Sequence, residues 1–312
     1  MPNDINPWEW QPHPEVWVLL VSIVGLGFYA TRVIGPKVIK NRDEIVSTKQ
    51  KRYFKLGVVT LGIAADWPLH DIAEEFLYAV HMTQHLLITF FIPIFFLKAT
   101  PEWLARLILG GGDQERTLIG KLAKPVAAGL IFNLLAALTH WNGIVQLSAD
   151  SGAFHYGIHL LMFSAALLMW MPVLGPIPEL RLSPPGQMIY LFLMSIIPTV
   201  PAGWLTFADN VVYPAYDIDT RLFGLSVIND QQLAGAIMKI LGGFFLWTLI
   251  AVRFFKWAGT SRESDMDKRV ARTAERLAAK REAAEGVPAD EMLTFDEVQA
   301  QFEKAGPAPA EY

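Results

Sequence analysis

The chain contains no cysteine, which removes disulfides, thiolate metal sites, iron–sulfur clusters and cysteine nucleophiles together. Charge is also scarce: 18% of the 312 residues are charged, against 53% hydrophobic, and the net charge is −4. With a mean hydropathy of +0.32, that balance excludes a disordered or nucleic-acid-binding chain and is too apolar for an ordinary soluble enzyme. No P-loop, GxGxxG, HExxH or Ser-His-Asp spacing occurs, so nucleotide use, zincin chemistry and acyl hydrolysis have no support. The first fifteen residues, MPNDINPWEWQPHPE, lack any Lys or Arg, which argues against a signal peptide.

What is abundant is apolar and aromatic. Ten tryptophans and nineteen phenylalanines suit anchors at membrane interfaces. Seven apolar stretches approach the roughly 20 residues that a membrane-crossing helix needs, near 17–34, 53–68, 76–97, 125–141, 155–175, 186–207 and 233–257. The second and fourth are short. The fold class expected is all-α: a polytopic membrane protein with a seven-helix transmembrane bundle. Its parts are an extracytoplasmic arm at 1–16, the bundle at 17–257 and a charged cytoplasmic tail at 258–312.

Loop charge sets the orientation. The first loop carries Arg32, Lys37, Lys40, Arg42, Lys49, Lys51, Arg52 and Lys55, the next Asp66, Asp71, Glu74 and Glu75. Lys98, Arg106, Arg116, Lys121 and Lys124 follow, and the loop before the last span holds Asp209, Asp217, Asp219 and Asp230. Basic loops face the cytoplasm, so the N-terminus is expected outside and the C-terminus inside. In the tail, Ser264 to Glu285 mixes both charges as a solvated helix does, Thr294 and Glu297 have capping-box spacing, and GPAPAEY closes the chain loosely. It reads equally as a docking tail and as a solubilising one.

On this topology all seven histidines lie toward the outer side: His13, His70, His81, His85, His140, His155 and His159. His81/His85 and His155/His159 are i,i+4 pairs, each sharing one helix face. A buried polar side chain at that depth is costly and faces the bundle interior. One such histidine is readily explained as an interhelical hydrogen-bond partner; six in one leaflet, two pairs at ligand spacing, favour a metal or haem. The candidate ligands are His70, His81, His85, His140, His155 and His159. Met82 and Met162 are available as thioethers, and Asp71 or Glu74 as carboxylates that orient an imidazole. His13, in a Pro-rich arm, stands apart, and Lys239 reads as a snorkelling cation near a span end.

The motifs Trp67-Pro68-Leu69-His70-Asp71, Glu74-Glu75 and His81-Met82-Thr83-Gln84-His85-Leu86-Leu87 resemble the CtaG family of multispanning cytochrome c oxidase assembly factors, found with caa3-class oxidases. The likeness continues through His140-Trp141, His155, His159, Trp170-Met171-Pro172-Val173-Leu174-Gly175-Pro176 and Asp230-Gln231-Gln232-Leu233-Ala234-Gly235, covering roughly residues 60–250. It implies a multipass protein of the bacterial plasma membrane that serves the respiratory chain. Its partners would be oxidase subunits within the lipid, with no nucleic acid, and its job copper handling as a metallochaperone rather than as an enzyme. By matching position the same six histidines become the implied ligands. At Lys239 the sequence departs from the tryptophan frequent in similar chains. Two other readings stay open: a b-type cytochrome with axial histidines, which fits less well, and a copper transporter. The apolar inner halves of the third and fifth spans, Ile88–Leu97 and Ala165–Leu174, count against the transporter.

Overall fold

A computed structural model of the chain describes residues 6, 8–111, 117–285 and 293–305, without the side chains of 281–285, 302 and 305. The described residues are helical or irregular, with no strand among them. The chain divides into two compact units, Met1–Phe254 and Phe255–Tyr312.

The first unit holds the apolar helices. We label them α1 (Pro14–Val38), α2 (Thr48–Ala65), α3 (Tyr78–Ala99), α4 (Pro125–Thr139), α5 (Asn142–Asp150), α6 (Gly152–Leu174), α7 (Pro184–Thr206) and α8 (Val227–Ile237). From α8 the chain passes through a π turn, Met238–Gly242, into α9, Gly243–Glu285. In the second unit α10 spans Phe295–Ala305. At its start the Glu297 carboxylate accepts from the Thr294 N–H and hydroxyl, so half of the expected capping box forms. GPAPAEY lies outside the described residues.

Seven spans were expected, and among the described residues five helices are long and apolar enough to cross a membrane, or six if α4 and α5 count as one bent span. The two short stretches account for the difference. Helix α2 opens with Lys49, Lys51, Arg52 and Lys55 inside its first two turns. Helix α4 has 15 residues, about 22 Å against a hydrocarbon core of about 30 Å. Beyond it the chain bends by 72° into α5.

Local sequence explains the helix ends. Ser47 and Gln50 form a capping box on α2, and Ser151 and Ser226 cap α6 and α8. Proline at 198 divides α7 into Pro184–Ile196 and Thr199–Thr206. Helix α3 has no cap of its own. The chain reaches it through a short helix, Leu69–Asp71, a π turn, Ile72–Phe76, and the extended residue Leu77. The fully buried Asp230 of α8 caps it from outside, its carboxylate accepting from the N–H groups of Tyr78 at 2.8 Å and Ala79 at 3.0 Å.

Helix α3 is central, packing on α2, α6 and α8. The largest apolar cluster fills the half of α3 and α6 remote from their starts. Trp170 is wholly buried there among Phe90, Ile94, Met162 and Met169, with Phe245 against it. A π turn, Leu87–Phe91, interrupts α3 at this level, and the Trp170 indole N–H donates to the Thr89 carbonyl at 2.9 Å. The pairing satisfies a carbonyl that irregular helix geometry leaves open.

Candidate metal centre

The two i,i+4 pairs sit in the first turns of α3 and α6, and the packing of those helices brings them face to face. Ring centroids are 4.6 Å apart for His81/His85, 4.9 Å for His85/His159, 5.8 Å for His81/His159 and 4.2 Å for His155/His159. One nitrogen from each of His81, His85 and His159 lies within 4.8 Å of the others. Three nitrogens around one ion at about 2.1 Å stand about 3.5 Å from one another. Closing the triad onto an ion therefore brings its widest pair closer by about 1 Å, within the reach of side-chain rotation.

The donor set also fits an ion by what it leaves unsatisfied. His81 Nδ1, His159 Nε2 and His140 Nε2 are buried without a hydrogen-bond partner. Each orphaned group costs about 1–3 kcal/mol, and a cation in the pocket would satisfy the free nitrogens. A cavity of about 210 Å³ joins them, with His155, Glu74 and Met82 also on its wall.

His140 reaches this cavity because α4 ends beside it. Its Nδ1 donates to the Ala136 carbonyl at 2.6 Å, which turns the free Nε2 inward. The hydroxyl of Tyr213 fixes the backbone there, donating to the His140 carbonyl at 2.7 Å. The loop carrying Tyr213 is in turn held by Gln231, which accepts from the Val212 and Tyr213 N–H groups and donates to the Tyr213 carbonyl.

The remaining candidates take other places. His155 adjoins the triad, but its Nδ1 lies 3.0 Å from the Ser148 hydroxyl and its Nε2 lies 2.6 Å from Glu74. That second contact is close without being an aligned hydrogen bond. His70 lies outside the cavity, bound through Nδ1 to the Gln84 amide at 3.0 Å, with Nε2 3.3 Å from the Tyr156 hydroxyl and 3.4 Å from Glu74. Asp71 meets His13 Nε2 at 2.6 Å. Neither expected carboxylate therefore touches His81 or His85: Glu74 serves His155 and His70, and Asp71 serves His13. Met162 is packed into the apolar cluster of α3 and α6 and does not line the cavity, whereas Met82 does.

His13 does not stand apart. Its ring lies 5.0 Å from that of His70, so the arm before α1 folds onto the histidine end. Burial disfavours its protonation, but hydrogen bonds and charge from Asp71 and Glu15 outweigh that and raise its pKa. Burial, joined by the charges of Asp71 and Glu74, pushes the Glu75 carboxyl up, and burial, joined by the charges of His13 and His155, pushes the His70 imidazole down against Glu74 and Asp71. At Glu74 burial is outweighed by His155, then His70 and His13, and its pKa is lowered. The signal for Asp230, Gln231 and Gln84 was present as polar residues inside apolar helical stretches, but nothing in their spacing named their partners.

The family model of the cytochrome c oxidase caa3 assembly factor, Caa3_CtaG, matches residues 11–260. The chain belongs to that family. Neither a curated protein nor a solved structure matches it. The span matched by Caa3_CtaG holds all seven histidines, Asp230 and Gln231. Membership makes the chain an assembly factor of cytochrome c oxidase with membrane-span-capable helices.

Proposed function

We propose that this Caa3_CtaG chain carries copper as cargo, held by His81, His85 and His159, and hands it to a cytochrome c oxidase subunit. The observation that carries this reading is the convergence of three imidazole nitrogens within 4.8 Å. Imidazole suits copper, zinc and iron, and the thioether of Met82 on the same wall adds a preference for Cu(I). His140 Nε2 stands by as a fourth donor. A three-coordinate ion keeps a position open, through which a recipient's ligand enters before the chain's own imidazoles leave. No bond of a substrate is made or broken, so the role is metal delivery.

The cavity bears on the alternatives. At about 210 Å³ it falls below the ~300–1,000 Å³ of small-molecule pockets, which favours a bare ion over a haem macrocycle. Beyond the histidines the buried Trp170, Phe90 and Met169 close the bundle, which favours exchange at one face over transport through it. The topology that goes with this reading has seven crossings of the bacterial plasma membrane, with α2 as the second. Its N-terminus and histidine end are outside and its C-terminus is cytoplasmic.

The deciding experiment deletes the gene and measures copper and haem in the oxidase while complementing with single alanine variants. His81→Ala, His85→Ala and His159→Ala should each deplete oxidase copper and abolish one-to-one Cu(I) binding by the purified protein. His70→Ala should retain Cu(I) binding. Normal oxidase copper in all three triad variants refutes the proposal, and a Soret band with stoichiometric haem in the purified chain replaces it with the cytochrome reading.

A further inference from the structure

A large cavity of the first unit lies at the end of the bundle opposite the histidines, and nothing in metal handling uses it. It measures about 1100 Å³ and opens between α1, the start of α2 and the end of α3. The separation from the metal centre follows from α2. Its first residues line this cavity, while Ala64, near its last, gives its carbonyl to Gln84 beside His70. Eighteen residues of helix cover about 27 Å.

The cavity is amphipathic. Val24, Phe28, Phe54, Phe96 and Leu104 form apolar wall, and the charged lining residues are Arg32, Arg42, Lys51, Lys55 and Asp43. One carboxylate among four cations leaves a net charge of +3. All five are exposed, and among the described residues none of the four cations is ion-paired with a carboxylate. Arg32 instead lies over the Phe28 ring at 5.7 Å. The N-terminus of α2, an 18-residue helix capped by Ser47, points its positive end into the same rim. Helix α1 presents most of its apolar surface outward, with 11% of its most apolar 18 residues buried, a face suited to acyl chains beside the cavity.

We propose that this cavity binds one anionic diacyl phospholipid from the leaflet facing the basic loops. The phosphate sits among Arg32, Lys51 and Lys55, with Arg42 at the rim, and an acyl chain follows Val24, Phe54 and Phe96. Basic pockets between membrane helices recognise anionic headgroups in this way, each cation strengthening binding about fivefold near the surface. A zwitterionic lipid offers the same chains without the net charge, and a free phosphate offers the charge without the chains. The site is independent of the copper reading.

The test uses the full chain, stripped of lipid in detergent and loaded with phosphatidylglycerol, phosphatidylcholine or inorganic phosphate, with bound lipid counted by native mass spectrometry. One phosphatidylglycerol should survive collisional activation that removes phosphatidylcholine. The triple variant R32Q/K51Q/K55Q should weaken it by about two orders of magnitude, three steps of the fivefold effect. The charge-keeping variant R32K/K51R/K55R should restore it, which separates lost charge from lost fold. Val24→Trp, at an exposed position, fills the apolar wall and should expel the lipid while every cation remains. Lys121→Gln with Lys124→Gln, exposed cations outside the cavity, should change nothing. Equal retention of phosphatidylcholine, full retention in the glutamine triple variant, or displacement of the lipid by phosphate at matching affinity would each overturn the proposal.

Discussion

Asp230 is where fold and candidate site are most directly coupled, and its removal has a calculable effect. The first N–H groups of a helix have no partner inside it, and Leu77, being extended, offers its carbonyl to Val80 and His81 but not to Tyr78 and Ala79. Two of those donors are given to the Asp230 carboxylate. Asp230→Asn keeps one acceptor oxygen and turns an amide N–H₂ toward the other donor. One charge-assisted bond is lost, about 1.5–3 kcal/mol. Asp230→Ala strips both donors where water does not reach, about 2–6 kcal/mol in all, against a typical total of about 5–15 kcal/mol. The midpoint of thermal unfolding in detergent, followed by tryptophan fluorescence, should therefore fall in the order wild type, Asn, Ala. His81 is three residues beyond Tyr78, so fraying of the first turn of α3 moves it away from His159. Cu(I) stoichiometry should drop in Asp230→Ala below that of a variant equally destabilised at the far end of the bundle. Melting of both variants within about 0.5 kcal/mol of wild type, the range of a neutral surface change, would refute the capping argument.

Trp170→Phe supplies that comparison. It deletes the hydrogen bond to the Thr89 carbonyl and part of a buried ring, about 2–4 kcal/mol together, and should lower the melting midpoint with Cu(I) binding intact. At His13 the folded pKa is raised above 6.5. Its hold on Asp71 is therefore fully present below that value and is lost as pH rises through the folded pKa. Amide protection factors in residues 8–17, exchange rates divided by the intrinsic rate at each pH, should be higher at pH 6 than at pH 8.5, a contrast that His13→Gln abolishes. Glu74 has the opposite sign: its lowered pKa gives stability present above 4.5 and lost as pH falls through the folded value. Glu74→Gln should flatten the acid side of the plot of melting midpoint against pH, and an unchanged slope there would dismiss its contacts with His155 and His70. Tyr213→Phe should cost about 1 kcal/mol by releasing the His140 carbonyl, read in the same melts.

Sequence alone determined that the chain is helical and built for a membrane, because a run of apolar residues of bilayer length has few other solutions. It also marked the histidines as the candidate ligands, since i,i+4 spacing on one helix is fixed by local geometry: His81 with His85, His155 with His159. Which histidines share a pocket was a tertiary matter. The packing of α6 on α3 joined His159 to the first pair, while Glu74 and Ser148 drew His155's nitrogens away and Gln84 held His70 aside. Spacing could not show that the broken approach to α3 is closed by Asp230, 152 residues distant from Tyr78, because a cap supplied from another helix leaves no local pattern. Nor could it place His13, whose position depends on an arm folding back onto Asp71. Short-range periodicity fixes what lies on one helix, and only the packing of helices decides which of those side chains meet.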